Sequence, residues 1–489
     1  MLFNTLDFAI FVPIVFLLYW YVFNRNLRLQ NLFVVVASYV FYGWWDWKFL
    51  ILITITSLCS WGSGLWITHA RNKIQNETKL RQWSVAITAG NIVLNLLILC
   101  FFKYYNFFIQ NFADAFSLLG KNMSIHSLKI ILPVGISFYT FQALSYTIDV
   151  YRKKVEPAKD AVAFFAYIAF FPLLVAGPIE RATSLLHQFN FRRVFDYEKS
   201  VDGLRQILWG LFKKVVIADN CANIANTIFS NSADLSGSTL VLGVLFFAFQ
   251  IYGDFSGYSD IAIGTARLFG INAMRNFAFP YFSRDIAEFW RRWHISLTTW
   301  FRDYLYIPLG GSRCSTIKKV RNTFIIFLVS GFWHGANWTF IAWGALHAVF
   351  FLPLLLTNNN RKNLETVAKG RIIPSIKEFI QMTTTFVLVG FAWIFFRADN
   401  ITHAWSYLGQ IFSSSLFTVP CFGSANDLLT TLMLGLFMIV EWIGRENQYA
   451  LEKIGLEWKS PTRYMMYYAI IVAIIWFSGQ EQQFIYFQF

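Results

Sequence analysis

Charged residues are scarce in this chain, and acidic residues are the scarcer kind. Only 14% of its 489 residues are charged, 27 of them acidic and 41 basic, while 56% are hydrophobic and 19% aromatic. Soluble proteins carry about 25% charged residues, so this composition excludes an ordinary soluble domain. The five cysteines are scattered, without a C-x-x-C pair, so neither a disulfide framework nor a zinc site is predicted.

The common local signatures of enzymes are missing as well. The chain has no G-x-S-x-G nucleophile elbow, and it has no P-loop, no H-E-x-x-H string and no G-x-G-x-x-G string. These absences exclude the familiar motifs of serine hydrolases, nucleotide-binding enzymes and zinc proteases. We predict no bound metal and no bound cofactor.

Long apolar runs are abundant instead, and the mean hydropathy is +0.47. A run of about 20 apolar residues is long enough to span a bilayer, and the basic residues collect in alternate loops, as in the positive-inside pattern. The pattern predicts an all-α polytopic membrane protein of about twelve transmembrane helices, forming one domain over residues 1–489 with both termini outside. Because topology explains most of the net charge of +14, no nucleic-acid partner is predicted.

One apolar stretch is too short and too interrupted to cross the membrane. It runs over Ala161–Ala176, contains a proline and ends at Gly177-Pro178. Basic residues stand on both sides of it, at Lys159 and Arg181. Non-helical backbone is tolerated at membrane depth only where protein or a water-filled cavity surrounds it. We therefore predict a re-entrant segment that lines a cavity open to the cytosol.

A histidine lies deep in the long apolar stretch Phe324–Leu356, within the string GFWHGANW. His334 follows the nearest preceding basic residue, Arg321, by about 13 residues, or roughly 20 Å of helix. An ionisable group at that depth is costly and marks a functional-site hypothesis. Asn337 is predicted to share its helical face and to hold one ring nitrogen. The alternative is a packing histidine that is hydrogen-bonded to a neighbouring helix.

Ionisable residues interrupt two further apolar segments. Lys213 and Lys214 stand near the middle of one, and Asp254 and Asp260 belong to the string YGDFSGYSD of the next. Lysines at such positions must snorkel to the interface or face a polar cavity. The aspartates either join helices by hydrogen bonds or border a substrate channel, and Asp254 is the candidate channel residue.

The longest polar and basic stretch, residues 275–321, mixes arginine with aromatic rings. Such a mixture predicts amphipathic helices at the cytosolic interface. Arg291 and Arg292 are candidates for holding an anionic acyl donor at this basic face. His334 would then act as a general base, taking a proton from a substrate hydroxyl as that oxygen attacks an activated acyl carbonyl.

Five strings, in their order along the chain, resemble the membrane-bound O-acyltransferases. They are VGISFYTFQALSYTIDVYR, FPLLVAGPIERA, YGDFSGYSDIAIGTARLFG, FWRRWHISLTTWFRDYLYIPLGG and SGFWHGANWTFIAWGALHA. The likeness is greatest to the bacterial branch of alginate and peptidoglycan O-acetylation proteins, and it covers nearly the whole chain. The catalytic core would lie over residues 130–356.

The resemblance implies a ring of helices around a central funnel, with His334 as the essential histidine. It also implies a second polar position in the W-R-R-W-H string, here His294. The implied acyl donor is cytosolic acetyl-CoA, and the implied location is the bacterial inner membrane, in contact with lipid. A periplasmic acetyltransferase partner would receive the acetyl group and modify a polysaccharide.

The C-terminal tail, residues 480–489, contains the aromatic string FIYFQF. The charge pattern places it at the external face, where an aromatic belt anchor is one interpretation. Related systems end in a similar motif that is proposed to carry the acyl group on its tyrosine. That resemblance makes Tyr486 a candidate catalytic residue.

Three functions are compatible with these features. The first is an O-acetyltransferase for an exported polysaccharide, with His334 as its base. The alternative from another class is a transporter of acetyl groups or of an acyl carrier, without covalent chemistry of its own; paired inverted repeats with interrupted helices would favour it. The third is a lipid or protein O-acyltransferase, against which the branch-specific strings and the external tail count.

Overall fold

The structure, a computed structural model, describes residues 1–118, 128, 130–175, 177–421, 423–479, 482 and 484–485. Every regular element within these residues is a helix, and none is a strand, which confirms the predicted all-α class. The chain divides into two compact units. Unit 1 consists of Met1–Ser200 and Thr265–Met274, and unit 2 of Val201–Gly264 and Arg275–Phe489. A single membrane-embedded domain stays a prediction.

Unit 1 is built from helices near the start of the chain. Its α-helices are α1 (Leu6–Leu17), α2 (Leu27–Gly43), α3 (Phe49–Lys73), α4 (Glu77–Leu99), α5 (Tyr105–Leu118), α6 (Ile136–Tyr151), α7 (Ala161–Ala169) and α8 (Phe171–Leu174). Short π-helical turns extend α1 and join α4 to α5. The stretch predicted to be re-entrant is indeed interrupted, because the backbone at Phe170 leaves the helical region between α7 and α8.

The remaining helices lie wholly or mainly in unit 2. They are α9 (Tyr197–Leu211), α10 (Asp219–Ser230), α11 (Gly237–Leu268), α12 (Ile286–Arg292), α13 (Ile295–Phe301), α14 (Thr316–His334), α15 (Trp338–Leu356), α16 (Ile376–Arg397), α17 (Ile401–Ile411), α18 (Ala425–Ile443) and α19 (Ser460–Phe477). A π-helical segment, Phe212–Ala218, joins α9 to α10, and a second, Arg302–Tyr306, follows α13.

Six helical stretches of the described chain are long and apolar enough to cross a membrane. They are Phe49–Lys73, Glu77–Ser117, Gly237–Leu268, Trp338–Leu356, Ile376–Arg397 and Ala425–Ile443. Large apolar side chains remain exposed on several of them, such as Trp66 on α3 and Leu432 on α18, as a lipid-facing surface requires. The protein is therefore a polytopic membrane protein, while about twelve crossings and a central funnel stay predictions.

Two helices of unit 2 form a close hairpin that positions His334. Helix α14 ends at His334, and Gly335 continues in extended backbone with φ −166°. The next helix, α15, starts after Asn337, whose side-chain oxygen accepts a hydrogen bond from the Thr339 amide at 3.1 Å. This N-cap satisfies one of the free amides at the helix start. His334 thus sits at the turn of the hairpin, at the far end of α14 from its basic N-terminal part.

Candidate active site

His334 is enclosed by aromatic rings. Only 2% of its surface is exposed. Its imidazole centroid lies 5.0 Å from Trp333, 5.1 Å from Trp343 and 5.4 Å from Phe396. The contacts to Trp343 and Phe396 bring α15 and α16 against the last turn of α14. Three rings thus fix the plane of the imidazole, and they also keep bulk water away from it.

His294 lies between α12 and α13, on a backbone in the left-handed region with φ 43°. A non-glycine residue in this region is uncommon and marks a position that its surroundings hold in place. The side chain is buried, and its ring packs 4.6 Å from the Phe255 ring. Burial lowers the pKa of His294 to about 3, so the imidazole is neutral at neutral pH.

A hydrogen-bond network sets the tautomer of the His294 ring. The side-chain oxygen of Asn276 accepts a bond from the backbone amide of Ser296 at 3.3 Å and from its hydroxyl at 3.0 Å. His294 Nδ1 lies 3.2 Å from the same oxygen. Because a backbone amide only donates, this Asn276 atom is the acceptor, and Nδ1 must carry the proton. The basic lone pair of the neutral ring is therefore on Nε2.

The two histidines face the same tryptophan. The His294 and Trp333 ring centroids are 6.0 Å apart, and Trp333 is the residue that precedes His334. The Asn276 amide that orients His294 is itself held by Ser259 of α11, whose hydroxyl oxygen accepts from it at 3.1 Å. The structure therefore places His294 against the residue that precedes His334, although the two histidines are 40 positions apart in the chain.

A cavity of about 530 Å³ opens beside α14 in unit 2. Apolar side chains such as Trp290 and Phe327 line it, together with Arg291, Arg302 and Arg361. The Arg302 guanidinium also forms an ion pair with Asp303 at 2.7 Å. The volume lies within the range of pockets that hold small ligands, roughly 300–1,000 Å³. Guanidinium groups are the usual protein partners of phosphate. The arrangement fits an anionic ligand that also carries an apolar part.

Ser330 connects this cavity to His334. It lines the cavity and stands four residues before His334 on α14. Side chains at this spacing lie on one face of a helix, about 5–6 Å apart between their Cβ atoms. A ligand that reaches the Ser330 end of the cavity therefore comes within one helical turn of the imidazole.

The structure separates the two arginines that were predicted to act together. Arg291 lines the cavity, and its guanidinium donates to the main-chain oxygens of Asn360 and Asn363 at 2.8 Å each. Arg292 is not among the residues that line this cavity. It forms an ion pair with Glu288, one helical turn earlier, at 2.8 Å. Both arginines have structural partners, but only Arg291 lines the cavity, so Arg291 remains a candidate for ligand binding.

The prediction that Asn337 shares a helical face with His334 is wrong, because α14 ends at His334. Besides capping α15, Asn337 donates from its side-chain nitrogen to the Asp399 carbonyl at 2.9 Å. These contacts hold the start of α15 against the short segment that follows α16. Spacing along the chain suggested a continuous helix where the backbone in fact reverses at Gly335.

Asp254 and Asp260 pair with the two lysines of the π-helical segment Phe212–Ala218. Lys214 Nζ lies 2.7 Å from Asp254 Oδ1, and Lys213 pairs with Asp260. The four charged groups are buried, so each lysine faces a carboxylate instead of reaching an interface. This geometry confirms that the aspartates join helical segments. Asp254 also has a contact with the C-terminal tail, described below.

Tyr486 lies outside the described residues, so the structure does not place it. Two residues just before it, Phe484 and Ile485, are described and are fully buried in unit 2. The Phe484 centroid lies 4.5 Å from Tyr258 and 6.0 Å from Phe255. Phe484 is therefore a packed residue of the protein interior and does not anchor the tail in a lipid belt.

Sequence reasoning missed two residues of this region. Asn276 lies at the start of the basic stretch 275–321 and carries no local signal, since its contact with His294 spans 18 residues. His347 of α15 is fully buried, and its ring lies 4.9 Å from both Trp290 and Trp343. The criterion that singled out His334, an ionisable group in an apolar run, applies to His347 equally. Among the described residues, no group of His, Cys, Asp or Glu side chains is arranged to hold a metal ion.

Comparison with known proteins places this arrangement in a family. Residues 158–390 match the model of MBOAT, the membrane-bound O-acyltransferase family. The chain is 36% identical to "Probable alginate O-acetylase AlgI" of Pseudomonas putida over 98% of both chains. It is 37% identical to the protein of the same name from Pseudomonas aeruginosa, over 88% of this chain and 78% of that one. It is 31% identical to "Peptidoglycan O-acetyltransferase" of Helicobacter pylori, over 100% of this chain and 98% of that one. The chain therefore belongs to the membrane-bound O-acyltransferase family and is an O-acyltransferase.

Proposed function

We propose that this protein transfers acetyl groups from cytosolic acetyl-CoA, across the bacterial inner membrane, for the O-acetylation of an exported polysaccharide. His334 is the general base. The observation that carries this proposal is the position of His334, one helical turn from Ser330, which lines the same cavity as three arginines. The names of the relatives, which describe O-acetylation of alginate and of peptidoglycan, support acetyl as the acyl group and a glycan as the final acceptor.

The cavity is proposed to bind the donor. Acetyl-CoA combines several phosphate groups with a long, largely uncharged arm that ends in a thioester. Arg291, Arg302 and Arg361 would bind the phosphates by charge-assisted hydrogen bonds, and the apolar part of the lining would hold the arm. The thioester would then lie near Ser330 and within reach of His334. None of these groups needs a metal ion or a further cofactor for its part.

In the chemical step, a hydroxyl oxygen attacks the thioester carbonyl while His334 takes its proton. The new carbon–oxygen bond forms, the carbon–sulfur bond breaks, and the proton passes to the departing CoA thiolate. The Tyr486 hydroxyl is the proposed first acceptor, as the family resemblance implies. A periplasmic acetyltransferase partner would then carry the acetyl group to the polysaccharide.

Donor binding tests the role of the cavity directly. We expect the double variant Arg302→Gln, Arg361→Gln to bind acetyl-CoA about tenfold more weakly, because it loses charge-assisted contacts worth about 1.5–3 kcal/mol each before solvent screening. Binding of labelled acetyl-CoA to the purified protein measures the effect.

Arg313→Gln is the matched control for this pair. Arg313 is an exposed arginine that does not line the cavity, so its removal changes the local charge without touching the proposed site. Equal weakening by both changes would mean that only the general positive charge attracts the donor, and the cavity would lose its assigned role.

Asn276→Ala tests whether His294 acts in its Nδ1-protonated form. We expect the ring to lose its fixed tautomer and acetyl transfer to fall by about tenfold or more, as happens when other hydrogen-bond partners of a functional histidine are removed. Nitrogen chemical shifts of isotope-labelled histidine report the tautomer, and the chain has only seven histidines to assign.

Asn272→Ala is the control for this change, because Asn272 is exposed and its known contacts to Gln188 use only its main chain. Reduced transfer with an unchanged His294 tautomer would show that Asn276 acts through the fold alone. An unchanged rate with a changed tautomer would remove His294 from the reaction.

A further inference from the structure

The C-terminal tail is held through its main chain by two charged side chains. The Ile485 amide donates to Asp254 Oδ2 at 2.7 Å, and Lys214 Nζ donates to the Gln482 carbonyl at 3.1 Å. Both contacts use backbone atoms of the tail, so they recognise the peptide main chain and not one side chain. The buried Phe484 ring, between these two positions, adds apolar contact.

Burying the charges of Lys214 and Asp254 carries a large desolvation penalty. Only 1% of the Lys214 side chain and 4% of the Asp254 side chain are exposed. Lys214 also lies 2.7 Å from Asp219, so one cation faces two carboxylates. Taking such ions out of water costs several kcal/mol for each ion, and an ion pair contributes little net stability in return. The two carboxylates carry one more charge than the lysine balances. One of them, Asp254, faces the Ile485 amide, whose hydrogen carries a partial positive charge.

The neighbouring pair, Lys213 and Asp260, provides an internal comparison. It joins the same π-helical segment to the same helix α11, and Asp260 accepts a further bond from Gln206 at 2.7 Å. None of the contacts described for it involves the tail. π-helical segments are frequently found at functional sites.

The docked tail reaches the histidine site through a chain of ring contacts. Phe484 contacts Phe255, the neighbour of Asp254, at 6.0 Å between ring centroids. Phe255 also contacts His294, with 4.6 Å between the two ring centroids, and His294 in turn contacts Trp333. The position of Phe484 is thereby tied to the part of unit 2 that carries His294 and His334.

We propose that Lys214 and Asp254 form a docking site for the main chain of the tail at Gln482 and Ile485, and that this docking positions the C-terminal end of the chain for acetyl transfer. The second part rests on the proposed function. The two residues are positioning residues: they hold the tail and do not touch the reacting atoms. Asp254 thus has a specific role beyond that of a helix-joining carboxylate.

Trimming by carboxypeptidase tests the docking without reference to activity. In the purified wild-type protein, intact-mass measurement should show that trimming stops before Ile485. Asp254→Asn removes the charge that faces the Ile485 amide, and it should allow trimming through residue 482. Asp260→Asn removes the equivalent carboxylate of the neighbouring pair, and the tail should stay protected. Equal exposure of the tail in both variants, or in neither, would overturn the proposal.

A change on the tail side keeps the test valid if Asp254→Asn fails to fold. Ile485→Pro removes the donated amide hydrogen and leaves both charged residues intact. Because carboxypeptidases stall at proline, the tail of this variant is read by hydrogen exchange of the C-terminal peptide. The exchange should be faster than in the wild type, and an unchanged exchange rate would overturn the docking site.

Acetyl transfer from labelled acetyl-CoA is measured on the same samples. We expect loss of docking to slow it by about 100-fold, the usual scale for a small misplacement of a reacting group. Wild-type rates in a variant with an exposed tail would overturn the positioning role. Absence of transfer in the wild type would instead count against the proposed function, while the digestion result would still decide the docking.

Discussion

Replacing His334 by alanine is expected to lower acetyl transfer by about 10²–10⁴-fold, the usual contribution of a positioned general base. Donor binding should be unchanged, because His334 is not among the residues that line the cavity. The purified variant would be incubated with isotope-labelled acetyl-CoA. Peptide mass spectrometry would locate any acetyl label, and retained donor would be measured in parallel.

The outcome of this experiment separates the enzyme from the carrier. Label on Tyr486 in the wild type that disappears in His334→Ala would support a covalent relay with His334 as its base. Undiminished transfer in His334→Ala would contradict the base assignment and favour a transporter without covalent chemistry of its own. His69→Ala is a suitable control, since His69 is an exposed histidine of α3 in unit 1, and its removal should leave the rate unchanged.

Replacing Gly331 by alanine is expected to disrupt the α14–α15 hairpin. A Cβ atom at this position would lie 2.2 Å from the Phe340 carbonyl oxygen, and one at Gly344 would lie 2.3 Å from the Phe327 carbonyl oxygen. Each helix thus approaches the backbone of the other at a glycine, as small residues permit in membrane helices. The clash is with main chain, so no side-chain rotation relieves it, and the helices must separate.

Gly331→Ala is expected to lower the free energy of unfolding by about 1–3 kcal/mol or more, as at other overpacked positions. Because His334 is one turn further along α14, we also expect acetyl transfer to fall by about 100-fold. Thermal unfolding in detergent and the transfer assay measure the two effects.

Gly435→Ala on α18 is the matched control. No atom lies within 4 Å of its added Cβ, and the change should stabilise the helix by about 0.5–1 kcal/mol. Similar losses in both variants would show that the close approach at Gly331 is not the cause.

The sequence alone determined features that depend on composition and local periodicity. Apolar runs and basic loops indicated a helical membrane protein, and the break near Phe170 was visible as proline and glycine in a short apolar stretch. The choice of His334 as the candidate base followed from the cost of an ionisable group in such a run, and the five motif strings were specific enough to identify the family. These inferences hold because each uses residues that are neighbours along the chain.

Only the tertiary structure decided which distant residues meet. The spacing of Asn337 from His334 suggested one helical face, yet the chain turns at Gly335 and Asn337 caps the next helix. His294 meets Asn276, Lys214 meets the Gln482 carbonyl, and Asp254 meets the Ile485 amide. A sequence carries no periodic signal for contacts across such separations. The physical reason is that hydrogen bonds and ion pairs depend on distance in space, whereas periodicity reports only which side of one helix a residue occupies. The site was therefore predictable in its central histidine, while its orienting and docking groups required the fold.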